Sequence, residues 1–319
     1  MKRALVVGGA GFIGSHLCCA LLKKGWYVVC IDNFSLGSRG NIRELLPDKN
    51  FVLYEADAAK VDAMEVIFEK ERPDYVYHLA ANSDIQASAS NPEIEYRNTY
   101  TTTFQILSCM RKFHIPRLFF ASTSAVYGDK RESVLDEHTP DLAPVSYYGA
   151  AKLGSEALIS AFSYMNEMQA LIFRFPNVIG PKLTHGVIFD FIYKLEKDPK
   201  CLQILGDGNQ TKPYIYVSDL VGAILKFQDM RHLGVELYNV GVEGETSVTR
   251  IADIICEEMG LDSVQYHYTG GEGGWKGDVP RFHYCLDKIH KAGWVAVYSS
   301  DEAVRKTVRE NISGKEDHE

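Results

Sequence analysis

Two side chains four residues apart define the chemistry open to this chain. Tyr148 and Lys152 lie in the run Ser146-Tyr147-Tyr148-Gly149-Ala150-Ala151-Lys152, and on a helix that spacing puts both on one face. A free phenol, with a pKa near ~10, is a poor base at neutral pH. A neighbouring ammonium favours the phenolate and poises its oxygen for proton transfer to and from an alcohol. Upstream, the strand end Ser122-Thr123-Ser124 offers hydroxyls that can hydrogen-bond the same reacting oxygen. Tyr-x-x-x-Lys alone also recurs on ordinary solvated helices, so it needs a second feature to carry meaning.

That feature is Gly8-Gly9-Ala10-Gly11-Phe12-Ile13-Gly14, between an apolar run, Ala4 to Gly8, and a helical stretch, Ser15 to Lys24. Glycines at 8, 11 and 14 permit a tight turn, close approach of backbone to a pyrophosphate, and close packing of helix on strand. The helix then points its free N–H groups at the phosphates. Asp32 ends the next apolar run, 18 residues after Gly14, with Asn33 beside it. A carboxylate there accepts hydrogen bonds from adenine-ribose hydroxyls and repels a 2′-phosphate, which favours NAD over NADP. Arg39 nearby is a mild signal the other way. With NAD in place, the positive nicotinamide joins Lys152 in favouring the Tyr148 phenolate.

These groups need a scaffold, and the first 160 residues supply its pattern. Apolar β-rich runs at 4–8, 26–32, 51–57, 75–80 and 118–122 alternate with helical stretches at 15–24, about 61–71 and 98–113, and further strands are expected at 171–175 and 214–217. Near-continuous apolar strands separated by helices argue for parallel β-α-β units with both sheet faces covered. The expected class is α/β, a Rossmann-like doubly wound parallel sheet with a smaller α/β substrate-binding domain. Segments 206–212 and 270–278, rich in glycine and charge, read as loops near a ligand.

Composition removes several alternatives. A chain of 319 residues with 46% hydrophobic and 24% charged residues can bury a sizeable core, which excludes a disordered or collagen-like protein. No run approaches the ~18 apolar residues of a membrane helix, and Met1-Lys2-Arg3 leads into a strand rather than a signal peptide, so a cytoplasmic protein with no membrane partner is expected. The net charge of −8, without a basic stripe, argues against nucleic acid. Seven cysteines with no Cys-x-x-Cys pair read as reduced packing residues, and no metal is expected. Cys18 and Cys19 lie behind the glycine loop as core filler.

Taken together, these motifs resemble the extended short-chain dehydrogenase/reductase family, in its nucleotide-sugar epimerase/dehydratase branch, over nearly the whole chain. The resemblance implies NAD held by Gly8, Gly11, Phe12, Ile13, Gly14, Asp32 and Asn33, by Asp57 and Ala58 near adenine, and by Leu79, Ala80 and Ala81 of His78-Leu79-Ala80-Ala81. Asn98, Tyr148 and Lys152 complete that set, and Thr123, Tyr148 and Lys152 are the implied catalytic residues. Ser83, Thr123, Ser124, Asn177, Val187, Lys212 and Asp278 are implied to meet a nucleotide-sugar substrate. Residues 1–174 plus about 212–240 would form the NAD-binding domain, and 175–211 plus about 241–319 the nucleotide-sugar-binding domain. Family members usually dimerise through the helices at 98–113 and 147–165, so a homodimer is expected, with Phe104, Leu107, Leu158 and Phe162 facing either the partner or the sheet.

Within the family, a 4,6-dehydratase carries an Asp-Glu pair directly after the threonine, and here those positions are Ser124 and Ala125. A decarboxylase of UDP-glucuronate usually keeps a glutamate where this chain has Ala125. What remains implies a 4-epimerase: C4 is oxidised, the ketone turns, and the hydride returns to its other face. The alternative is a net C4 dehydrogenase or reductase, or another epimerase/dehydratase, acting on an unusual nucleotide-linked sugar. Departures cluster on the substrate side, with Ser83 in place of a lysine, Lys212 in place of an arginine, and Trp275 in place of another arginine.

Overall fold

The computed structural model describes residues 1–82, 84–131, 133–230, 233–271, 277 and 279–316, in two compact units. The first comprises Met1–Gly128, Pro140–Arg174 and Val221–Tyr238. The second comprises Asp129–Thr139, Phe175–Leu220 and Asn239–Glu319.

In the first unit β1 (Arg3–Val7), α1 (Phe12–Lys23), β2 (Tyr27–Asp32), β3 (Phe51–Glu55), α2 (Val61–Glu71) and β4 (Tyr75–His78) follow the expected alternation. Then come α3 (Thr102–Phe113), β5 (Arg117–Thr123), α4 (Tyr147–Asn166) and β6 (Gln169–Phe175). A seven-stranded sheet runs in the order β9-β6-β5-β4-β1-β2-β3, where β9 is Gly234–Asn239. The pairs from β3 through β5 are all parallel. Strands β1 and β4 are buried almost throughout because helices cover both faces, which is why Ala4-Leu5-Val6-Val7 carries no polar alternation. Leu5, Val29, Val76, Phe120 and Ile172 fill the core beneath Phe68, Ile106 and Ile159 of the helices.

The chain runs outward from β1 to β3 and then crosses to β4 on the other side of β1. Strand order therefore reverses between β1 and β4, and the crevice beyond their carboxyl ends is where such sheets take ligands. Both the glycine loop after β1 and the segment after β4 open there. The backbone stitches them in place: Gly8 N donates to Ile31 O at 2.8 Å and Leu79 N to Val7 O at 2.9 Å.

The helix expected from residue 98 begins differently. Residues Tyr96–Thr101 form a π-helical turn that passes into α3. Such wide turns are rare and concentrate at functional sites. Leu107 lies in the core and Leu158 and Phe162 pack against it, while Phe104 is exposed.

In the second unit β7 (Asn177–Ile179) pairs in parallel with β8 (Tyr214–Tyr216). The strand expected at 214–217 thus forms at Tyr214–Tyr216 but outside the large sheet, whose seventh place belongs to β9. Both segments are short apolar runs, and periodicity cannot say which partner a run will find. Here α5 is Val187–Lys197, α7 Val248–Met259 and α8 Ser300–Glu316, while α6 (Val217–Phe227) begins in this unit and from Val221 onward belongs to the first. Helix α8 packs on β8 and α7, and Tyr216 Oη donates to Glu310 at 2.5 Å. Segment 206–212 is partly strand, since Thr211–Lys212 pairs with Thr246–Ser247. No helix among the described residues is long and apolar enough to cross a membrane.

Candidate active site

The glycine loop is forced by sterics. Gly14 opens the buried side of α1, and a Cβ there would lie 2.1 Å from Gly8 O. Gly8 itself has φ +82°, and its Cβ would meet Ala80 N at 2.7 Å. Any side chain at these two positions would push the loop away from α1 or from the segment after β4. Helix α1 starts after Gly11 with no side-chain cap and no acidic residue in its first turn. Its leading N–H groups are therefore left for an anion, as a pyrophosphate requires.

Asp32 closes the cradle. It is buried; Oδ2 accepts from Ala10 N at 2.9 Å and Oδ1 from Phe34 N at 2.8 Å. Burial raises its pKa, opposed by those backbone donors. Arg39 is engaged elsewhere, paired with Glu55 and stacked over the Phe34 ring at 4.8 Å, so it answers for a neighbouring carboxylate rather than a 2′-phosphate. Asn33 is exposed and accepts from Ser35 N at 3.0 Å. Asp57 accepts from Arg97 at 2.7 Å and from Ala59 N at 3.0 Å, with Ala58 buried behind it. Gly11, Phe12, Ile13, Leu79, Ala80, Ala81 and Asn98 are each partly exposed.

Helix α4 brings the reacting groups together. Ser146 caps it by accepting from Gly149 N at 3.1 Å, which fixes where the helical register starts. Tyr148, Lys152 and Glu156 then fall on one face, four residues apart. Thr123, at the end of β5, hydrogen-bonds the Tyr148 phenol and also accepts from Ala125 N at 3.2 Å. That second bond starts the 3₁₀ turn Ser124–Tyr127 and pins the threonine hydroxyl. Burial pushes the Tyr148 pKa well above its ordinary value, the field of Glu95 adds to this, and Thr123 opposes it.

Lys152 is 2% exposed, and burial lowers its pKa to about 8, with Glu95 and Glu156 opposing the fall. Its Nζ donates to Ala121 O at 2.6 Å and lies 4.7 Å from the Phe120 ring centre and 5.8 Å from that of Tyr148. Glu156 accepts from Arg174 through both oxygens, at 3.0 and 2.6 Å, and from Ser122. His78 is fully buried and held neutral by burial and by Lys152. Thr103 donates to Thr99 O at 2.8 Å, so its oxygen accepts from His78 Nε2 at 2.9 Å, which fixes the tautomer.

The sequence reading did not include Glu95, Glu156 or the Ala121 carbonyl among the site residues. One more four-residue step from Lys152 would have found Glu156; nothing periodic leads to Glu95.

Of the residues expected to meet substrate, Thr123 hydrogen-bonds Tyr148 and Ser124 opens the turn that follows it, both in the first unit. Asn177 is exposed on β7, Val187 begins α5, and Lys212 is partly buried, all in the second unit. Ser83 and Asp278 lie outside the described residues, as does Trp275.

A model of the NAD dependent epimerase/dehydratase family matches residues 4–241. The chain belongs to this family. A protein of Methanocaldococcus jannaschii that bears the provisional name UDP-glucose 4-epimerase is 34% identical over 95% of this chain and 96% of its own. The human dTDP-D-glucose 4,6-dehydratase is 28% identical over 98% of this chain and 91% of its own. The crystal structure of the Thermus thermophilus UDP-glucose 4-epimerase with NAD superposes with a TM-score of 0.86 at 27% identity, covering 96% and 98% of the two chains. NAD is the cofactor of the family, and the glycine cradle, the uncapped start of α1 and Asp32 fit it.

Proposed function

We propose that the chain is a nucleotide-sugar 4-epimerase of the UDP-glucose/UDP-galactose type, with NAD held by the first unit and the nucleotide sugar by the second. The observation that carries this reading is the pair Ser124-Ala125 directly after Thr123, beside an intact Thr123–Tyr148–Lys152 set. Expelling a C6 hydroxyl needs an extra acid and base, which the dehydratases of this family usually carry at that position, and neither Ser124 nor Ala125 can serve as one. On this reading the resemblance to a dehydratase in sequence does not extend to dehydratase chemistry.

In this reading Tyr148 takes the proton from the C4 hydroxyl and gives it back. Thr123 hydrogen-bonds the same oxygen through each transfer. Lys152, fixed by the Ala121 carbonyl, supplies the positive charge that stabilises the phenolate and reaches the cofactor ribose. NAD, when bound, supplies the acceptor and donor of the C4 hydrogen. Asn177, Val187 and Lys212 hold the nucleotide diphosphate, with Ser83 and Asp278 expected in the same set. A homodimer would form through the outer faces of α3 and α4, where Phe104 and Tyr164 are exposed.

The test is product analysis by NMR after incubating NAD-loaded protein with UDP-glucose, UDP-galactose and their N-acetyl, uronic, GDP, CDP and dTDP counterparts. Interconversion at C4 with no build-up of NADH supports the reading. Accumulated NADH and a free keto-sugar, or no conversion of any substrate, overturns it.

A further inference from the structure

A second acidic group faces the Tyr148–Lys152 pair from outside its helix. Glu95 ends the short helix Glu93–Glu95, immediately before the π turn, and is 1% exposed. Its oxygens are held separately: Asn82 Nδ2 donates to Oε1 at 2.7 Å and Thr99 Oγ1 to Oε2 at 2.7 Å. Two donors on two oxygens mark it as an acceptor-only carboxylate. Asn82 is in turn fixed by Asp84, through Nδ2 to the Asp84 carbonyl at 2.8 Å and Oδ1 from the Asp84 amide at 3.2 Å. The short helix and the π turn both pack on α4, close enough for Gly154 to abut the Tyr100 ring. The carboxylate is thus fixed in a buried segment packed on the helix that carries Tyr148 and Lys152, where water cannot screen its charge.

We propose that Glu95 is a positioning residue that acts through Tyr148 and Lys152, its buried carboxylate setting the pH window in which the pair can exchange a proton with substrate. The proposal rests on the reading of Tyr148 as the base.

The sign follows from the charge. A buried carboxylate opposes a phenolate and favours an ammonium, and its field raises the proton affinity of both Tyr148 and Lys152. Among the described residues the other polar groups acting on the pair are few. Thr123 reaches Tyr148 from β5; Ala121 O, His78 and Glu156 reach Lys152 from β5, β4 and α4, and Glu156 is itself neutralised by Arg174 of β6. Arg97 of the π turn is paired with Asp57. Among the described residues Glu95 is the negative charge acting on both partners.

The experiment compares wild type, Glu95→Gln, Glu95→Asp and Tyr148→Phe in two measurements. The first is an ultraviolet titration of tyrosinate absorbance, with Tyr148→Phe as the blank that isolates this one phenol. The second is the pH profile of kcat for epimerisation. Glu95→Gln should lower the phenol's titration by on the order of one pH unit. Both limbs of the kcat profile should move the same way, so kcat well below the acid limb rises on the order of tenfold. Glu95→Asp, which keeps the charge, should restore most of the wild-type behaviour. Glu95→Ala is a second charge-removing variant and should agree in direction with Gln if Gln melts early. An unmoved phenol titration in folded Gln and Ala variants, or an Asp variant that shifts as far as Gln, overturns the proposal. Tyr148→Phe with undiminished epimerisation overturns the reading beneath it instead. The ultraviolet titration reports on Glu95 whichever sugar is turned over.

Discussion

Lys152 Nζ donates to the carbonyl oxygen of Ala121 at 2.6 Å, so the backbone at the end of β5 holds the ammonium beneath the phenol of Tyr148. The fields of two carboxylates, Glu95 and Glu156, offset only part of the desolvation, and the folded chain gives up this proton near pH 8 against 10.5 for an unperturbed lysine. Between those values the unfolded chain binds the more protons, so stability rises with pH. The contribution is full above the unfolded value and lost as pH falls through about 8. At ~1.4 kcal/mol per pKa unit the whole window amounts to about 3 kcal/mol. Urea unfolding at pH 7 to 10 should show wild type gaining on Lys152→Met by a large part of that amount. Parallel curves for the two proteins would show that the ammonium is solvated.

Tyr148→Phe keeps the ring and removes the proton carrier. Turnover should fall by on the order of 10²–10⁴-fold, with the melting temperature within a few degrees of wild type. Thr123→Val acts more mildly and with a defined sign. Thr123 hydrogen-bonds Tyr148 and lowers its pKa, so its loss should move the acid limb of the kcat profile to higher pH. That is opposite to the shift expected for Glu95→Gln, and steady-state kinetics across pH distinguishes them.

The parts of this molecule that could be read from its sequence are those whose cause is local. Gly11 and Gly14 are required by contacts with Gly8 inside the same loop, Gly8 by its own positive φ as well as by the approach of Ala80, and Tyr148 and Lys152 by a helical step, so spacing was informative. Glu95 reaches the same face through a π turn and a hydrogen bond to Asn82, 13 residues away, which no periodicity encodes. The pairing of Tyr214–Tyr216 with Asn177–Ile179 is likewise a choice among equally apolar runs, made by tertiary packing.

Gly14→Ala tests the cradle directly. The added methyl would sit 2.1 Å from Gly8 O, which is backbone and cannot rotate aside. Relief requires α1 to move off the loop, an overpacking cost of about 1–3 kcal/mol. That movement also misaligns the N–H groups that would meet the pyrophosphate. Purified Gly14→Ala should therefore carry little NAD, and added NAD should raise its melting temperature less than it raises that of wild type. Full NAD content by mass spectrometry would show that the phosphates are held elsewhere.

Beneath Lys152 the buried face of α4 continues into an ion pair whose two partners behave very differently when removed. Arg174 donates through Nε and Nη2 to the two oxygens of Glu156, and both side chains are nine-tenths buried or more. Arg174→Met leaves the Glu156 carboxylate with Ser122 and the partly neutralised Lys152, an uncompensated buried charge that should cost about 3–5 kcal/mol. Removing Glu156 as well removes that charge, so the double variant Glu156→Leu/Arg174→Met should recover much of the loss. The double variant nonetheless deprives Lys152 of one carboxylate that keeps it charged. Its alkaline limb in kcat should therefore fall to lower pH even where its stability is regained. Chemical denaturation of the four proteins of the cycle measures the first effect and their pH profiles the second. A double variant as unstable as Arg174→Met would mean that packing, and not the stranded charge, dominates at this site.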